Sequence, residues 1–249
     1  MKKLSEIRYY GKCAVPKNWS DTVIMGINRL YYIHGGSGGY TENGRDHIFQ
    51  NNMLYFFPYT SNFKVTSSNT DPIVHSYMDF ELVPPILCSK ICKIKPDDNG
   101  LVKSALDIFL GGAEMIAANE LTMGEFKKEN GLYSLCNAVA VYLATAASKS
   151  ASATVVSDKI VISVMEEMIS KVDKKLTVEE LAAKQYITPD ALIRRFKRTV
   201  GVTPYAYLKQ LRLRTARYML EEGNTLSETA SACGYSDSSS LLHAIKHKW

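Results

Sequence analysis

The sequence repeats itself in its last third, and this repeat constrains the fold more than any other feature. The segment TVEELAAKQYITPDALIRRFK, which starts at Thr177, aligns with TLSETASACGYSDSSSLLHAIK, which starts at Thr225, with one extra residue in the second turn. Each copy has a glutamate three residues after its first threonine, the signature of a capping box that satisfies free amides in a first helical turn. Each copy therefore predicts a helix, a tight turn and a second helix.

The predicted second helix of each copy has one apolar face and one polar face. Leu192 and Phe196 in the first copy match Leu241 and Ile245 in the second, which predicts the buried side, and Asp237 is expected to cap the second copy's helix. The opposite sides carry short hydrogen-bonding groups and cations, as recognition helices do in the major groove. A solvated basic face is the alternative, because helix-turn-helix geometry also occurs in proteins that bind no DNA.

The segment between the two copies, TPYAYLKQLRLRTARYMLEEGN, predicts a helix with two apolar stripes. One stripe consists of Leu208, Leu211, Thr215 and Met219, and the other of Leu213, Ala216 and Leu220. Such a helix buries both sides, here against a helix-turn-helix at each end. Residues 190–217 also contain eight cations and one acid, a local charge excess that is typical of phosphate binding.

The N-terminal half has a different pattern. Short β-branched and aromatic runs between about residues 20 and 83 predict a β-sandwich or small barrel that ends at Pro84–Pro85. Two segments beyond Pro96, residues 100–121 and 132–149, have helical periodicity, and the second is apolar enough to need burial against the barrel, its neighbouring helix or another subunit. A polar stretch at residues 148–158 predicts a linker, so the expected domains are 1–150 and 158–249.

Cysteine usage and hydropathy narrow the class of protein. The five cysteines are odd in number, scattered and without a CxxC pair, which favours reduced thiols over disulfides or a zinc site. No apolar run reaches the eighteen or so residues that cross a bilayer, and the N-terminal MKKLSEIRYYGKCAVP lacks the apolar core of a signal peptide. These features predict a cytoplasmic protein that makes no contact with membranes.

Residues 176–246 resemble the AraC/XylS family of bacterial transcription regulators. The elements F-K-R-x-x-G-x-T-P-x-x-Y-L, R-L-x-x-A and A-x-x-x-G-Y-S-D stand in order. The resemblance implies two helix-turn-helix units on one bridging helix, with recognition helices in successive major-groove segments of double-stranded operator DNA. The DNA-binding residues that it implies are Thr188, Asp190, Ile193, Arg194, Lys197, Arg198, Arg212, Ser238, Ser239, Leu242, His243 and Lys246. Ile193 and Leu242 can contact only a thymine methyl or a sugar.

The resemblance also implies that the N-terminal half is a cupin-like effector domain, through YYIHGGSGGYTENGRDHIFQNNMLYFFPY. The expected fold class is then α+β, with an N-terminal cupin-like β-barrel and helical dimerisation hairpin before an all-α domain of two helix-turn-helix units. In such proteins a small molecule, often a sugar, lies inside the barrel. The expected effector-binding residues are Tyr31, His34, Tyr40, Phe56, Tyr59, His75, Tyr77 and Asp79. Strand alternation lets about half of them face inward, and structural tyrosines are the alternative.

The sequence therefore predicts a dimeric, sequence-specific transcription regulator that answers to a small metabolite and needs no cofactor. The resemblance favours an activator that also contacts RNA polymerase. One alternative is a regulator without an effector, whose barrel serves only dimerisation. The other is a cupin metalloenzyme fused to a DNA-binding domain, which is disfavoured because His34, His47 and His75 lack the H-x-H pair of metal-binding cupins. P-loop, G-x-S-x-G and H-E-x-x-H motifs are also missing, so no enzyme is expected.

The last residues, GYSDSSSLLHAIKHKW, are the expected turn and recognition helix of the second copy. Extending the repeat places Trp249 opposite Val200, one residue before the glycine that ends the matching helix at Gly201. The repeat thus predicts that the natural chain continues for about ten residues or more.

Overall fold

The computed structural model describes residues 5–17, 19–23, 27–42, 44–59, 63–82, 86, 88, 90–96, 100–150, 158–221 and 223–246. The chain forms two compact units, Met1–Val155 and Val156–Trp249. Three features used above lie outside the described residues: the Pro84–Pro85 pair, most of the predicted linker, and Trp249.

The N-terminal unit contains two antiparallel sheets. The described strands are β1 (Ser5–Ala14), β2 (Ser20–Val23), β3 (Asn28–Gly35), β4 (Gly38–Glu42), β5 (Arg45–Ile48), β6 (Met53–Phe57), β7 (Phe63–Ser67), β8 (Val74–Leu82) and β9 (Cys92–Ile94). One sheet has the order β1-β8-β3-β6-β9 and the other β2-β7-β4-β5. The expected β-sheet half is confirmed, but the described strands form two separate sheets rather than a closed barrel.

Strand alternation gives the five-stranded sheet two apolar faces, because successive side chains point to opposite sides. Tyr31 of β3 and Tyr55 of β6 lie in the core between the two sheets. Their neighbours Leu30 and Leu54 lie in a second core on the other face. The N-terminal unit therefore has three layers: the four-stranded sheet, the five-stranded sheet and a layer of helices.

The helical layer consists of α1 (Leu101–Ala117), α2 (Met123–Lys128) and α3 (Asn130–Ser150). As its periodicity predicts, α3 buries Cys136, Ala140 and Leu143 in the second core. Length and composition alone would also let α3 cross a membrane, but 50% of its most apolar stretch is buried inside the protein. A buried core helix passes the same test, so α3 is weak evidence for membrane insertion.

Two strands lie outside the predicted β region. β1 pairs with β8 along its whole length, but its register shifts between Ile7 and Tyr9. This irregularity interrupts the two-residue alternation by which a strand is recognised in sequence. β9 has only three residues, Cys92–Ile94, and pairs with β6 beyond the proline pair that was expected to end the sheet. Three residues are too few to show a period.

The C-terminal unit is helical and contains both copies of the repeat. Its helices are α4 (Lys159–Ser170), α5 (Val178–Lys184), α6 (Pro189–Val200), α7 (Pro204–Glu221), α8 (Leu226–Ala232) and α9 (Ser238–Lys246). The two predicted capping boxes, Thr177 with Glu180 and Thr225 with Glu228, are both present. α7 contacts α6 of the first copy and also α8 and α9 of the second. The predicted bridging helix between two helix-turn-helix units is thereby confirmed.

Both helix-turn-helix turns use a left-handed backbone residue at the same position. Tyr186 follows α5 with φ 55°, and Gly234 follows α8 with φ 71°. A left-handed residue at this point ends a helix and satisfies its last carbonyls, and glycine adopts it without steric cost. Gly201 ends α6 in the same way, with φ 86°, as the sequence predicted.

Candidate DNA-binding surface and effector site

The first recognition helix, α6, is held by a buried apolar face and a capped start. Leu192 and Phe196 are fully buried. Thr188 is the N-cap, since its Oγ1 accepts a hydrogen bond of 3.2 Å from the Ala191 amide. Ile193 is half-buried. The predicted DNA-binding residues that α6 exposes are Asp190, Arg194, Lys197 and Arg198. A cationic face therefore remains accessible on this helix.

The second recognition helix, α9, is held in the same way. Leu241 is fully buried, and a carboxylate oxygen of Asp237 accepts a 2.7 Å hydrogen bond from the Ser240 amide. This bond confirms Asp237 as the cap and lowers the pKa of its carboxyl group. Ser238 is half-buried. The predicted residues that α9 exposes are Ser239, Leu242, His243 and Lys246. Its face carries fewer cations than that of α6.

Some cations of the basic segment are engaged within the unit. Arg195 forms a 2.5 Å ion pair with Asp158, the N-cap of α4. Burial alone would raise the pKa of Asp158, but hydrogen bonds from Arg195 and from two amides of α4 lower it. Arg217 pairs with Glu221 one turn along α7 at 2.8 Å. The local charge excess is thus partly used to join helices.

Arg212 has a structural position that the sequence did not predict. Its Nε donates to the Val172 carbonyl at 3.0 Å, and its Nη2 donates to the Lys174 carbonyl at 2.6 Å. Both carbonyls lie between α4 and α5, so the side chain ties the bridging helix to the first copy. The guanidinium also lies close to Gly234 of the second copy: a Cβ atom on Gly234 would be 2.9 Å from Arg212 Nη2. Arg212 therefore joins the two copies, a structural role in addition to its predicted contact with DNA.

Strand alternation divides the eight residues predicted to bind an effector. Tyr31 and Tyr40 lie in the core between the sheets. His75, Tyr77 and Asp79 lie on the same side, since their β8 neighbours Met78 and Phe80 face the helices.

Two of the predicted effector residues face the other way. Phe56 belongs to the core under the helices, so it does not line the space between the sheets. The Nε2 of His34 lies 2.8 Å from Ser76 Oγ, and Ser76 is on the helix side of β8. They face the helices because a strand turns every second side chain to the opposite face. Tyr59 is buried just after β6, where its amide donates to Asn28 Oδ1 at 3.1 Å.

A polar cluster, defined as Arg29, Tyr31, His75, Tyr77 and Asp79, lies on the inner face of the five-stranded sheet. Arg29 Nε and Nη2 each donate to one carboxylate oxygen of Asp79 at 2.6 Å. Arg29 Nη1 donates to the Tyr31 hydroxyl at 3.0 Å, and the ring centroids of Tyr31 and His75 are 4.5 Å apart. Arg29 was missed because its pairing with Asp79 depends on the register of β3 against β8.

His75 is the member of the polar cluster with spare hydrogen-bonding capacity. The side chain is buried, and no partner for its Nδ1 exists among the residues that the structure describes. Burial, with the nearby charges of Arg29 and His34, lowers the pKa of His75 to about 4. His75 is therefore neutral at pH 7. A buried polar atom without a partner is a natural contact for a ligand.

We expect the N-terminal unit to lose stability on acidification because of His75. Its folded pKa of about 4 lies below the ordinary value of 6.5, so between these pH values the unfolded chain binds a proton that the folded chain does not. The free energy of unfolding that neutral His75 contributes above pH 6.5 is therefore lost as the pH falls toward 4, and this loss is up to about 3 kcal/mol. Urea unfolding at several pH values measures this slope.

The variant His75→Phe should flatten that pH dependence, because phenylalanine has no titratable group at this buried position. Identical slopes in wild type and His75→Phe would contradict the assignment.

Within the described part of the chain, no group of three or more histidines, cysteines and carboxylates is arranged to hold a metal ion.

Two capped helix-turn-helix units on one bridging helix place the C-terminal unit among the double helix-turn-helix proteins. Residues 181–248 match a family model described as a helix-turn-helix domain. LumQ of Photobacterium leiognathi, named as a transcriptional regulator, is 32% identical over 74 residues, which cover 29% of this chain and 30% of LumQ. A protein of Streptomyces lividans, named as an AraC-like transcription regulator, is 41% identical over 71 residues, covering 28% and 23%. The predicted resemblance of this domain to AraC-like transcription regulators is thereby confirmed.

The fold of the whole chain is similar to that of ToxT from Vibrio cholerae. A ToxT structure superimposes with a TM-score of 0.65 at 9% identity, covering 98% of this chain and 94% of ToxT. A structure of ToxT with a bound unsaturated fatty acid gives a TM-score of 0.64, also at 9% identity, over 99% and 93%. At this identity the likeness concerns the fold alone.

The matches to LumQ and the Streptomyces protein span less than a third of each relative.

Proposed function

We propose that this protein is a sequence-specific DNA-binding transcription regulator of the cytoplasm. The observation that carries the proposal is the pair of capped helix-turn-helix units sharing α7, each presenting an exposed polar face on its second helix. In this arrangement α6 and α9 enter successive major-groove segments on one side of the duplex. Arg194 reads a base edge, while Lys197 and Arg198 contact phosphates.

Arg194 is expected to carry base discrimination in the first recognition helix. Its guanidinium is exposed on α6, where it can donate two hydrogen bonds to a guanine. Arg194→Ala should lose about 1–3 kcal/mol of discrimination between the operator and a scrambled duplex. The operator is obtained by selecting bound duplexes from a random library, and both affinities are then measured by fluorescence anisotropy at several salt concentrations.

Lys197→Ala is the matched control on the same face of α6. Because it removes an interaction with the DNA backbone, it should weaken binding of both duplexes alike and reduce the slope of log affinity against log salt by about 1. Equal losses of specific and non-specific binding in Arg194→Ala would remove Arg194 from base recognition. A wild-type chain that selects no duplex sequence would overturn the proposed function.

We further propose that a small metabolite binds at the polar cluster and changes DNA affinity. Arg29 is already neutralised by Asp79, and His75 is neutral at pH 7, so the cluster favours an uncharged, hydroxyl-rich ligand. A sugar has this chemistry, since aromatic rings stack on its faces and polar groups orient its hydroxyls. ToxT has been crystallised with an unsaturated fatty acid, so a fatty acid is the competing ligand class. Regulation requires that the ligand bind the DNA-competent state with a different affinity.

A thermal-shift panel separates the two ligand classes. Neutral sugars at about 100 times their dissociation constant should stabilise the protein by about 2.7 kcal/mol, whereas fatty acids should not. A response to fatty acids alone would contradict the sugar assignment. A flat response across both classes would favour a regulator whose N-terminal unit serves only dimerisation.

We also propose that two copies of the protein form a dimer through α1 and α3. Met115 of α1 and Leu135 of α3 remain 37% and 47% exposed on the outer side of the helical layer. Their burial against a second copy would account for apolar side chains at the surface. In the activating role that we propose, a DNA-bound dimer would also contact RNA polymerase.

A further inference from the structure

A groove lies between α7 and α9 within the C-terminal unit. Its volume is about 560 Å³. The residues that line it include Tyr205, Leu208, Lys209, Tyr235, His243 and Ala244. Small-molecule sites in proteins have volumes of about 300–1,000 Å³ and combine apolar walls with a few polar groups. The groove has both the size and the composition of such a site.

The lining of the groove selects for an aromatic anion. The apolar part of the lining consists of the rings of Tyr205 and Tyr235 together with Leu208 and Ala244. Lysine, arginine and histidine side chains also line it, and among the residues that the structure describes no carboxylate does so. Lys209 is exposed, whereas Arg212 already donates to two carbonyls. A planar ring can stack on tyrosine while its carboxylate faces the lysine.

The two copies differ at a residue that lines this groove. Each recognition helix packs against the helix that precedes its own unit, α6 against α4 and α9 against α7. In the first copy Arg195 projects across this junction and pairs with Asp158 at the start of α4. The matching residue in the second copy is Ala244, which has no side chain long enough to fill the junction. The arginine-to-alanine difference therefore leaves the space open.

We propose that this groove binds a small planar aromatic carboxylate. The ring lies against Tyr205 and Tyr235, and the carboxylate lies beside Lys209 and His243. Ser239 and His243 line the groove and also belong to the predicted DNA-binding face of α9, so a bound ligand blocks that face. This last consequence rests on the proposed function, whereas ligand binding itself does not. Apolar walls would add nothing to the binding of a phosphodiester, which favours a small ligand over the DNA backbone.

Calorimetry with indole-3-carboxylate and its neutral analogue indole-3-carboxamide tests the groove on the full chain. The acid should bind, and the amide should bind about fivefold more weakly because it lacks the charge. Ala244→Met fills the groove without adding charge and should weaken acid binding about tenfold. Ala183→Met is the matched control, since Ala183 is exposed on α5 outside the groove, and it should leave the affinity unchanged. Lys209→Met should abolish the preference for acid over amide.

Several outcomes would overturn the assignment. They are equal affinities in wild type and Ala244→Met, an unchanged preference in Lys209→Met, and no binding of the acid by folded wild type. Lys209→Met keeps the test decisive if Ala244→Met does not fold. DNA affinity is measured in parallel: a chain that binds DNA but not the acid overturns the groove alone. A chain that binds the acid but no DNA supports the groove and overturns the proposed function.

Discussion

Asp79→Asn is expected to lower the free energy of unfolding of the N-terminal unit by about 3–5 kcal/mol. Asp79 and Arg29 are only 5% and 14% exposed at their side chains, and two 2.6 Å hydrogen bonds join them. Removing the carboxylate charge leaves a buried guanidinium without compensation, which costs more than the bond itself contributes. Urea denaturation followed by tryptophan fluorescence, with Trp19 as a reporter in this unit, measures the loss.

A double variant and a surface control test whether the buried charge of Arg29 causes this loss of stability. Arg29→Met combined with Asp79→Leu should cost less than Asp79→Asn, because an apolar pair of similar volume needs no charge compensation. Glu114→Gln breaks the exposed ion pair between Lys12 and Glu114, and it should cost no more than about 1 kcal/mol. If Asp79→Asn costs as little as Glu114→Gln, the buried pair does not stabilise the unit.

Gly234→Ala is expected to destabilise the C-terminal unit by about 2–4 kcal/mol. The residue has φ 71°, where a side chain meets its own backbone, and a Cβ there would lie 2.9 Å from the Val172 carbonyl oxygen. That oxygen is backbone and also accepts a hydrogen bond from Arg212, so it cannot move without breaking the junction between the two copies. Denaturation followed by helical circular dichroism measures the change.

Tyr186 is the matched control because it has the same backbone geometry and lies in an open position. Its φ is 55°, and its side chain is 97% exposed. Tyr186→Gly should therefore stabilise the unit by up to about 1 kcal/mol, since it relieves left-handed strain and removes no packing. A loss of stability in both Gly234→Ala and Tyr186→Gly would contradict this account of the turns.

Arg212→Met tests the same junction from the other side. The substitution removes two charge-assisted hydrogen bonds to carbonyls, so a destabilisation of about 1.5–3 kcal/mol is expected. Arg217→Met on the same helix removes an exposed pair with Glu221 and should change stability by no more than about 0.5 kcal/mol. Equal effects of the two substitutions would show that Arg212 does not stabilise the junction between the two copies.

The C-terminal unit could be predicted in detail because its signals are local. Capping boxes at Thr177 and Thr225, the cap at Asp237 and the glycine at Gly201 each act within one turn of the residue itself. Helical periodicity likewise placed Leu192, Phe196 and Leu241 in the core. Such features need no knowledge of which distant segments meet.

The N-terminal unit could be predicted only in outline. The sequence determined that the region is rich in strands and is followed by two apolar helices, since composition and period are properties of each segment. Only the tertiary structure decided that the strands form two sheets, that Phe56 and His34 face the helices, and that Arg29 meets Asp79. Those outcomes depend on strand register, and a shift of one residue exchanges the two faces of a strand. Arg212 shows the same limit in the helical unit, because its carbonyl partners lie 40 and 38 residues away along the chain.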